Sequence, residues 1–359
     1  MENRPDAIPA IIASLRASVH PDANPMQLPR TLLVLLQVIK ELYTARLQRI
    51  RASLVSITPE IFHVLASIYV EKTDIWSILV ERGGSSQEEV LATVGNMELS
   101  LLCMKVLRRV LISGFDHPNR SEEVREFWLL MFGHVTRYHI LVDRIDKSMP
   151  ESIKLIGKHI LQLSKLHVDM ARTHPASFAL LPDSIPLVKA YWMVVVKLGD
   201  SFDSLDATGD PPGNALIEKS GLRALLLLRA CAKMAFNPVQ TFKYQTLQDK
   251  EEKKQAVELV KSELFSHEFV VSVMELLVTK FFRFRKNDFQ EWEEDPEGWE
   301  KQEEEISDAW EFSIRSCSEK LFLDLVIHFK DLLIPRLLNV FYSFASEFHF
   351  FLSCLSFLP

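Results

Sequence analysis

Apolar residues recur along this chain at intervals of three and four, the spacing that gathers side chains on one face of an α-helix. Between residues 5 and 19 the recurring set is Ile8, Ile11, Ile12 and Leu15, which predicts a short helix. The following loop, His20 to Pro29, carries three prolines and breaks it. Beyond Thr31 the run LLVLLQVIKELYTARL is apolar on nearly every side near its centre, as in a helix buried between neighbours. Thr58-Pro59-Glu60 reads as a helix start, with Thr as N-cap, Pro in the first helical position and Glu in the first turn. Ile61, Val64, Leu65 and Ile68 follow on one face, and Gly83-Gly84-Ser85-Ser86 ends the element.

The clearest amphipathic stretch is Asn96 to Ser113. Leu99, Leu102, Cys103, Val106, Leu107 and Val110 line one side, while Lys105, Arg108 and Arg109 fall elsewhere. Gly114 sits where a helix stop is expected, and Pro118 delays the next helix until Ser121, after which Val124, Phe127, Trp128, Met131 and Val135 keep the period. Further helices are predicted over residues 150–173, 184–199, 214–236, 252–265, 267–284 and 314–345, punctuated by Pro175, Pro182, Asp210-Pro211-Pro212-Gly213 and Asn237-Pro238. In the last, Phe322, Leu325, Val326, Phe329, Leu332 and Leu333 hold the helical spacing. No stretch argues for a sheet, so the fold class is all-α. Such helices either close into a globular bundle or stack in pairs as a solenoid. The marked helix starts near residues 31, 97, 152, 216 and 267 lie farther apart than the ~40–47 residues of a regular HEAT or armadillo array. A solenoid therefore needs long helices and inserts.

Composition fits this picture. At 359 residues the chain can bury a sizeable core, and 48% apolar with 25% charged residues is the balance of an ordinary folded protein. Glycine is scarce, 11 in all, which favours helix. The four cysteines, Cys103, Cys231, Cys317 and Cys354, show no CxxC spacing, so they read as plain thiols of a reducing compartment rather than as a disulfide framework or zinc site. The first ten residues lack the basic start and apolar run of a secretory signal. No window of 18 uncharged apolar residues occurs, which argues against a membrane span.

Charge changes the picture at one place. From Asp288 to Asp308 there are 11 acidic residues against one Lys, a balance of −10 in a chain whose total is −7, leaving +3 for the rest. Trp292, Trp299 and Trp310 are set into or beside this stretch, and disordered acidic segments are poor in aromatics. Residues 287–310 are thus expected to be a partly structured acidic loop between helical repeats. It is either a solvated insert or a docking strip for a basic partner, its tryptophans touching that partner or pinning the loop. Closely set carboxylates raise association rates with basic ligands, an effect that falls with salt.

Catalytic constellations are not evident. HExxH, GxSxG, Walker A and GxGxxG patterns are missing. His134 and His139 are five apart and turn away from each other; His159 and His167, eight apart, share a face but have no carboxylate at ligand spacing. Each reads as a surface or hydrogen-bonded core residue. Glu122/Glu123 suit the first turn of a helix, and Glu251/Glu252 followed by Lys253 and Lys254 make a solvated face. Neither an enzyme nor a bound cofactor or metal is expected. Nucleic acid is a poor partner as well: the pI is about 5.9, and the basic clusters Arg46/Arg49/Arg51 and Lys280/Arg283/Arg285/Lys286 are small and separate.

The run EWEEDPEGWE, preceded by KFFRFRKNDF and followed by DAWEFSIRSCSEKLFLDLVIHFKDLLIPRLLNVF, resembles the nuclear transport receptors of the importin-β (karyopherin-β) superfamily, in particular the importin-eleven branch. LSLLCMKVLRRVLISGF, LPRTLLVLLQVIKELYTARL and HPASFALLP resemble the same family's repeat helices, and the likeness covers about residues 5–344. The resemblance implies a HEAT/armadillo-type helical-repeat solenoid, a right-handed superhelix over residues 1–344. It would carry a basic cargo protein through the nuclear pore, binding Ran-GTP and phenylalanine-glycine nucleoporins without being an enzyme. Its place would be the nucleus, the cytoplasm and the nuclear envelope. The acidic loop would face basic cargo or Ran through Glu293, Glu294, Asp295 and Glu297, with Trp292 and Trp299. The likeness starts beyond the family's first repeats and stops before its C-terminal arch, so the chain reads as truncated at both ends and the main Ran-GTP surface as missing. Residues 345–359, ASEFHFFLSCLSFLP, are unlike the family and read as a hydrophobic tail of foreign origin. The alternative is a solenoid scaffold or adaptor without Ran or nucleoporin contact.

Overall fold

The computed structural model describes residues 7–20, 22–44, 48–83, 86–145, 149–202, 211–237, 246–284, 286–308 and 310–355. Among them are fifteen α-helices and no strand, arranged in two compact units, Met1–Asp183 and Ser184–Pro359.

The first unit holds α1 (Ala7–Ser18), α2 (Gln27–Thr44), α3 (Gln48–Arg82), α4 (Gln87–Gly114), α5 (Glu122–Arg144), α6 (Pro150–Thr173) and the short α7 (Pro175–Leu180). Helix α3 ends at the expected glycine turn, but α4 opens at Gln87 and not at the expected Asn96. Gly83 takes φ +67, and Ser86 caps α4 by accepting from the Glu89 N–H while the Glu89 carboxylate accepts from the Ser86 N–H. Gly84 and Ser85 lie outside the described residues. Helix α4 packs against α3, α2 and α6, which is why it is buried on more than one side. It contains an 18-residue stretch of mean hydropathy 1.5, so one helix here is long and apolar enough to cross a membrane by length and composition. Helix packing accounts for that apolarity.

Aromatic rings tie α3 to α5. Phe62, Tyr69 and Trp76 recur every seventh residue, so they rise along one side of α3, each almost wholly buried. Phe62 meets Phe127 at 5.3 Å, Tyr69 meets Phe127 at 5.9 Å, and Trp76 meets Tyr138 at 5.3 Å. Burying a side chain such as Phe62 contributes about 1.5–3 kcal/mol. The helix start expected at Thr58 is not a start. Residue 58 is buried inside α3, which runs unbroken through Pro59. Proline costs the helix one backbone bond. The buried Thr58 before that proline and the buried Ile61, Phe62 and Leu65 after it keep this part of α3 in the core.

The second unit holds α8 (Ser184–Ser201), α9 (Pro211–Phe236), α10 (Leu247–Leu259), α11 (His267–Leu276), α12 (Lys286–Glu294), α13 (Pro296–Asp308), α14 (Ile314–His328) and α15 (Lys330–Leu355). Single π turns, Val260–Leu264 and Leu277–Phe281, close α10 and α11. Helices α8 and α9 approach so closely that a Cβ on Gly221 would lie 2.4 Å from Leu198 Cδ2. Only glycine fits there without displacement.

The single helix expected over 314–345 is two helices. Phe329 leaves helical geometry (φ −122, ψ 31) and sets its ring 5.1 Å from Phe236, while its carbonyl accepts the first N–H groups of α15. The apolar spacing runs straight through this break, with Leu325 and Leu333 both buried, so periodicity could not reveal it. Helix α15 continues through Pro335 to Leu355, well into the stretch read as a separate tail. Residues 356–359 and the side chains beyond Ala345 lie outside the described residues.

Candidate functional site

The acidic stretch, expected as a loop, is a pair of short helices. Its turn has local causes that the sequence displayed. Asp295 is the N-cap of α13, its Oδ1 accepting the Gly298 N–H at 3.0 Å, and Pro296 occupies the first helical position. The carboxylate comes in so close that a Cβ on residue 298 would sit 2.3 Å from Asp295 Oδ2, which is why glycine stands there. Asp295 is therefore committed in part to holding the turn.

The hairpin is seated on its own unit by aromatic rings and arginines. Trp299 packs edge-on against Phe284 at 5.5 Å, and Phe289 does so at 5.6 Å. Arg315, from α14, lies 4.8 Å from the centre of the Phe284 ring and pairs with Asp288. Beyond α13, Trp310 lies under Arg229 at 4.0 Å, and the Arg229 Nε–H donates to Asp324 at 2.7 Å. Lys233 stands 5.8 Å from the same ring. Both arginines are thus held between a carboxylate and an aromatic face, in surroundings that leave them 10% and 14% exposed.

Of the six residues read as a docking set, the hairpin brings all to one short element but gives them different work. Glu293, Glu294 and Glu297 are exposed, as is Asp295 despite its capping bond. Trp299 is half-buried and is an anchor. Trp292 is 51% exposed, and no described cation lies over its ring. Spacing alone did not reveal the two arginine seats, because Arg229 and Asp324 are 95 residues apart. The Asp-Pro cap was legible.

The histidines are core residues. His134 Nδ1 lies 2.8 Å from the Tyr69 hydroxyl, which is 3.2 Å from that of Tyr138. The His159 Nε2–H donates to the Met97 carbonyl at 2.9 Å, and His167 packs against Trp128 at 4.9 Å. Burial drives the His134 and His159 pKa values down to about 4 and that of His167 to about 3. Burial pushes the Cys103 thiol far up and that of Cys231 to about 12, so neither is a nucleophile. An open recess of about 590 Å³ on α10 is lined by Lys250, Lys253, Lys254, Val257, Glu258 and Lys261, a charged surface rather than a substrate cleft.

No protein-family profile matches the chain. Individual proteins do. It is 26% identical over 316 residues to the importin beta-like protein KAP120 of Saccharomyces cerevisiae, covering 87% of this chain and 28% of that one. To importin-11 of Homo sapiens it is 25% identical over 348 residues, covering 94% of this chain and 31% of the relative. Among solved structures it superposes on that of Lph2, described as a bidirectional nuclear transport receptor in S. cerevisiae. The TM-score is 0.75 at 24% identity, over 93% of this chain and 30% of that one.

Along some nine-tenths of its length the chain is similar to importin-β-type proteins, those of the importin-11 branch among them. The fold is accordingly an all-α, HEAT-type helical-repeat solenoid, like that of the transport receptor on which it superposes. It spans less than a third of the length of the curated relatives it matches. The widely spaced helix starts fit this importin-type fold through the 35 residues of α3 and 28 of α4, and through the inserted acidic hairpin.

Proposed function

We propose that this importin-β-type chain serves a nuclear transport receptor that carries protein cargo between cytoplasm and nucleus, working by reversible binding and not by catalysis. The observation that carries this reading is the likeness to importins along some nine-tenths of the chain, in sequence and in fold. Cargo of basic character docks on the acidic hairpin through Glu293, Glu294, Asp295 and Glu297. Its helical backbone holds these carboxylates at fixed spacing, and Trp299 keeps it on its unit. Ran-GTP and phenylalanine-glycine nucleoporins are the further partners of this reading. Residues 345–359, which α15 enters as far as Leu355, are in this reading a hydrophobic sequence unlike the family's repeats.

The test is direct. Immobilised full chain is exposed to Ran locked to GTP, to phenylalanine-glycine repeat protein and to a basic cargo peptide, at low and high salt. Replacing Glu293, Glu294, Asp295 and Glu297 by Ser is expected to weaken the peptide and flatten its salt dependence. Unchanged affinity would make the hairpin a passive insert. Binding to neither Ran nor nucleoporin repeats would favour a scaffold without transport partners.

A further inference from the structure

Twice in the second unit an arginine is caught between a carboxylate and an aromatic face: Arg229 between Asp324 and Trp310, and Arg315 between Asp288 and Phe284. In each the guanidinium carbon lies within 4.8 Å of the ring centre, near enough to gain from the ring's quadrupole while its N–H groups reach the acid. The outer face of α12 repeats these ingredients. Phe289 and Trp292 are one turn apart and therefore neighbours, and Glu293 follows Phe289 by four residues, on the other flank of the same patch. Phe289 is 53% exposed and Trp292 51%. Phe289 uses one ring edge on Phe284, and no described cation of the chain covers Trp292.

We infer that the patch formed by Phe289, Trp292 and Glu293 is an arginine-selective seat, taking a guanidinium from an arginine-rich segment of the docked partner. The inference rests on the reading of the hairpin as a dock and narrows it to one kind of basic ligand. Carboxylates attract both lysine and arginine, with some preference for the guanidinium fork that they can accept from bidentately. A large exposed π-face widens that preference, because the planar, weakly hydrated guanidinium stacks where a hydrated ammonium does not. Trp292 supplies the selectivity and Glu293 the sign of the charge.

The experiment measures fluorescence anisotropy of two labelled peptides of equal length and charge, one built on arginine and one on lysine, with the full chain. The arginine peptide is expected to bind about threefold to tenfold more tightly. Trp292→Ala should lower that ratio markedly, chiefly by weakening the arginine peptide. Trp292→Phe, which keeps a ring, should hold part of it. Glu293→Gln should weaken both peptides. Equal affinities for the unaltered protein, or a Trp292→Ala loss shared equally by both peptides, would overturn the inference while leaving the acidic dock standing. Binding of neither peptide would remove the dock and the inference with it.

Discussion

The buried histidines of the first unit set a sharp limit on its stability in acid. His134, His159 and His167 are held neutral by burial, with pKa values near 4, 4 and 3 against the ordinary value of about 6.5. His159 shows why. Its Nε2–H donates to the Met97 carbonyl, so Nδ1 is the bare nitrogen, and that atom is buried without a partner. A second proton would be an unsolvated charge among Trp76, Tyr138 and Ser100. A depressed histidine pKa means that stability is complete above the unfolded value and is lost as pH falls toward the folded one. The window therefore opens near pH 6.5 and closes near 4 for two sites and near 3 for the third. Between about pH 7 and about pH 5 the unfolded chain takes up nearly one proton per site and the folded chain almost none, costing about 2 kcal/mol each and about 6 for the three. A domain holds only about 5–15 kcal/mol. Urea unfolding followed by circular dichroism, at constant ionic strength across this range, measures the loss. His159→Gln preserves the donor to Met97 and His167→Phe preserves the packing on Trp128. The double variant should shed about two thirds of the pH dependence. If its stability falls with pH as steeply as that of the unaltered chain, the histidines are not its source and the reasoning is wrong.

Three further outcomes are expected. Gly298→Ala, which gains about 1 kcal/mol of helix propensity, should yield no net stabilisation because it evicts the Asp295 cap, worth about as much; hydrogen exchange across residues 288–301 reads this, and slower exchange would contradict it. Gly221→Ala forces Leu198 aside at the contact of α8 and α9, a cost of about 1–3 kcal/mol that offsets the propensity gain of about 1, so it should not stabilise in thermal melts; a full gain of about 1 kcal/mol would count against the close approach. Cys103 and Cys231, buried and held as thiols, should resist iodoacetamide in the native protein at neutral pH and react on unfolding, as peptide mass spectrometry would show.

Where the fold was legible, local chemistry and tertiary packing agreed. Ser121 and the Pro150 start each open a helix where expected, and the apolar set of α5, from Val124 to Val135, is buried, whereas α4 opens behind Ser86, well before the expected Asn96. It was illegible where packing overrode local preference. Pro59 looks like a beginning and lies mid-helix, inside an α3 that runs from Gln48 to Arg82. The break at Phe329 is hidden for the opposite reason, the apolar period being the same on both sides of it. The docking set was visible as charge and tryptophan, but not the division of labour within it. Trp292 and Trp299 sit in near-identical acidic surroundings, and only contact with Phe284, fifteen residues before Trp299, marks one as an anchor.

The arginine seats beneath the hairpin have one more consequence. Arg229 and Arg315 meet their acids largely out of reach of solvent ions, whereas Glu293, Glu294 and Glu297 face open water. Mobile ions weaken exposed attractions far more than sheltered ones. Brine strong enough to strip a ligand from the outer wall should leave the wall itself upright, so capture can be undone and repeated without rebuilding the surface that performs it.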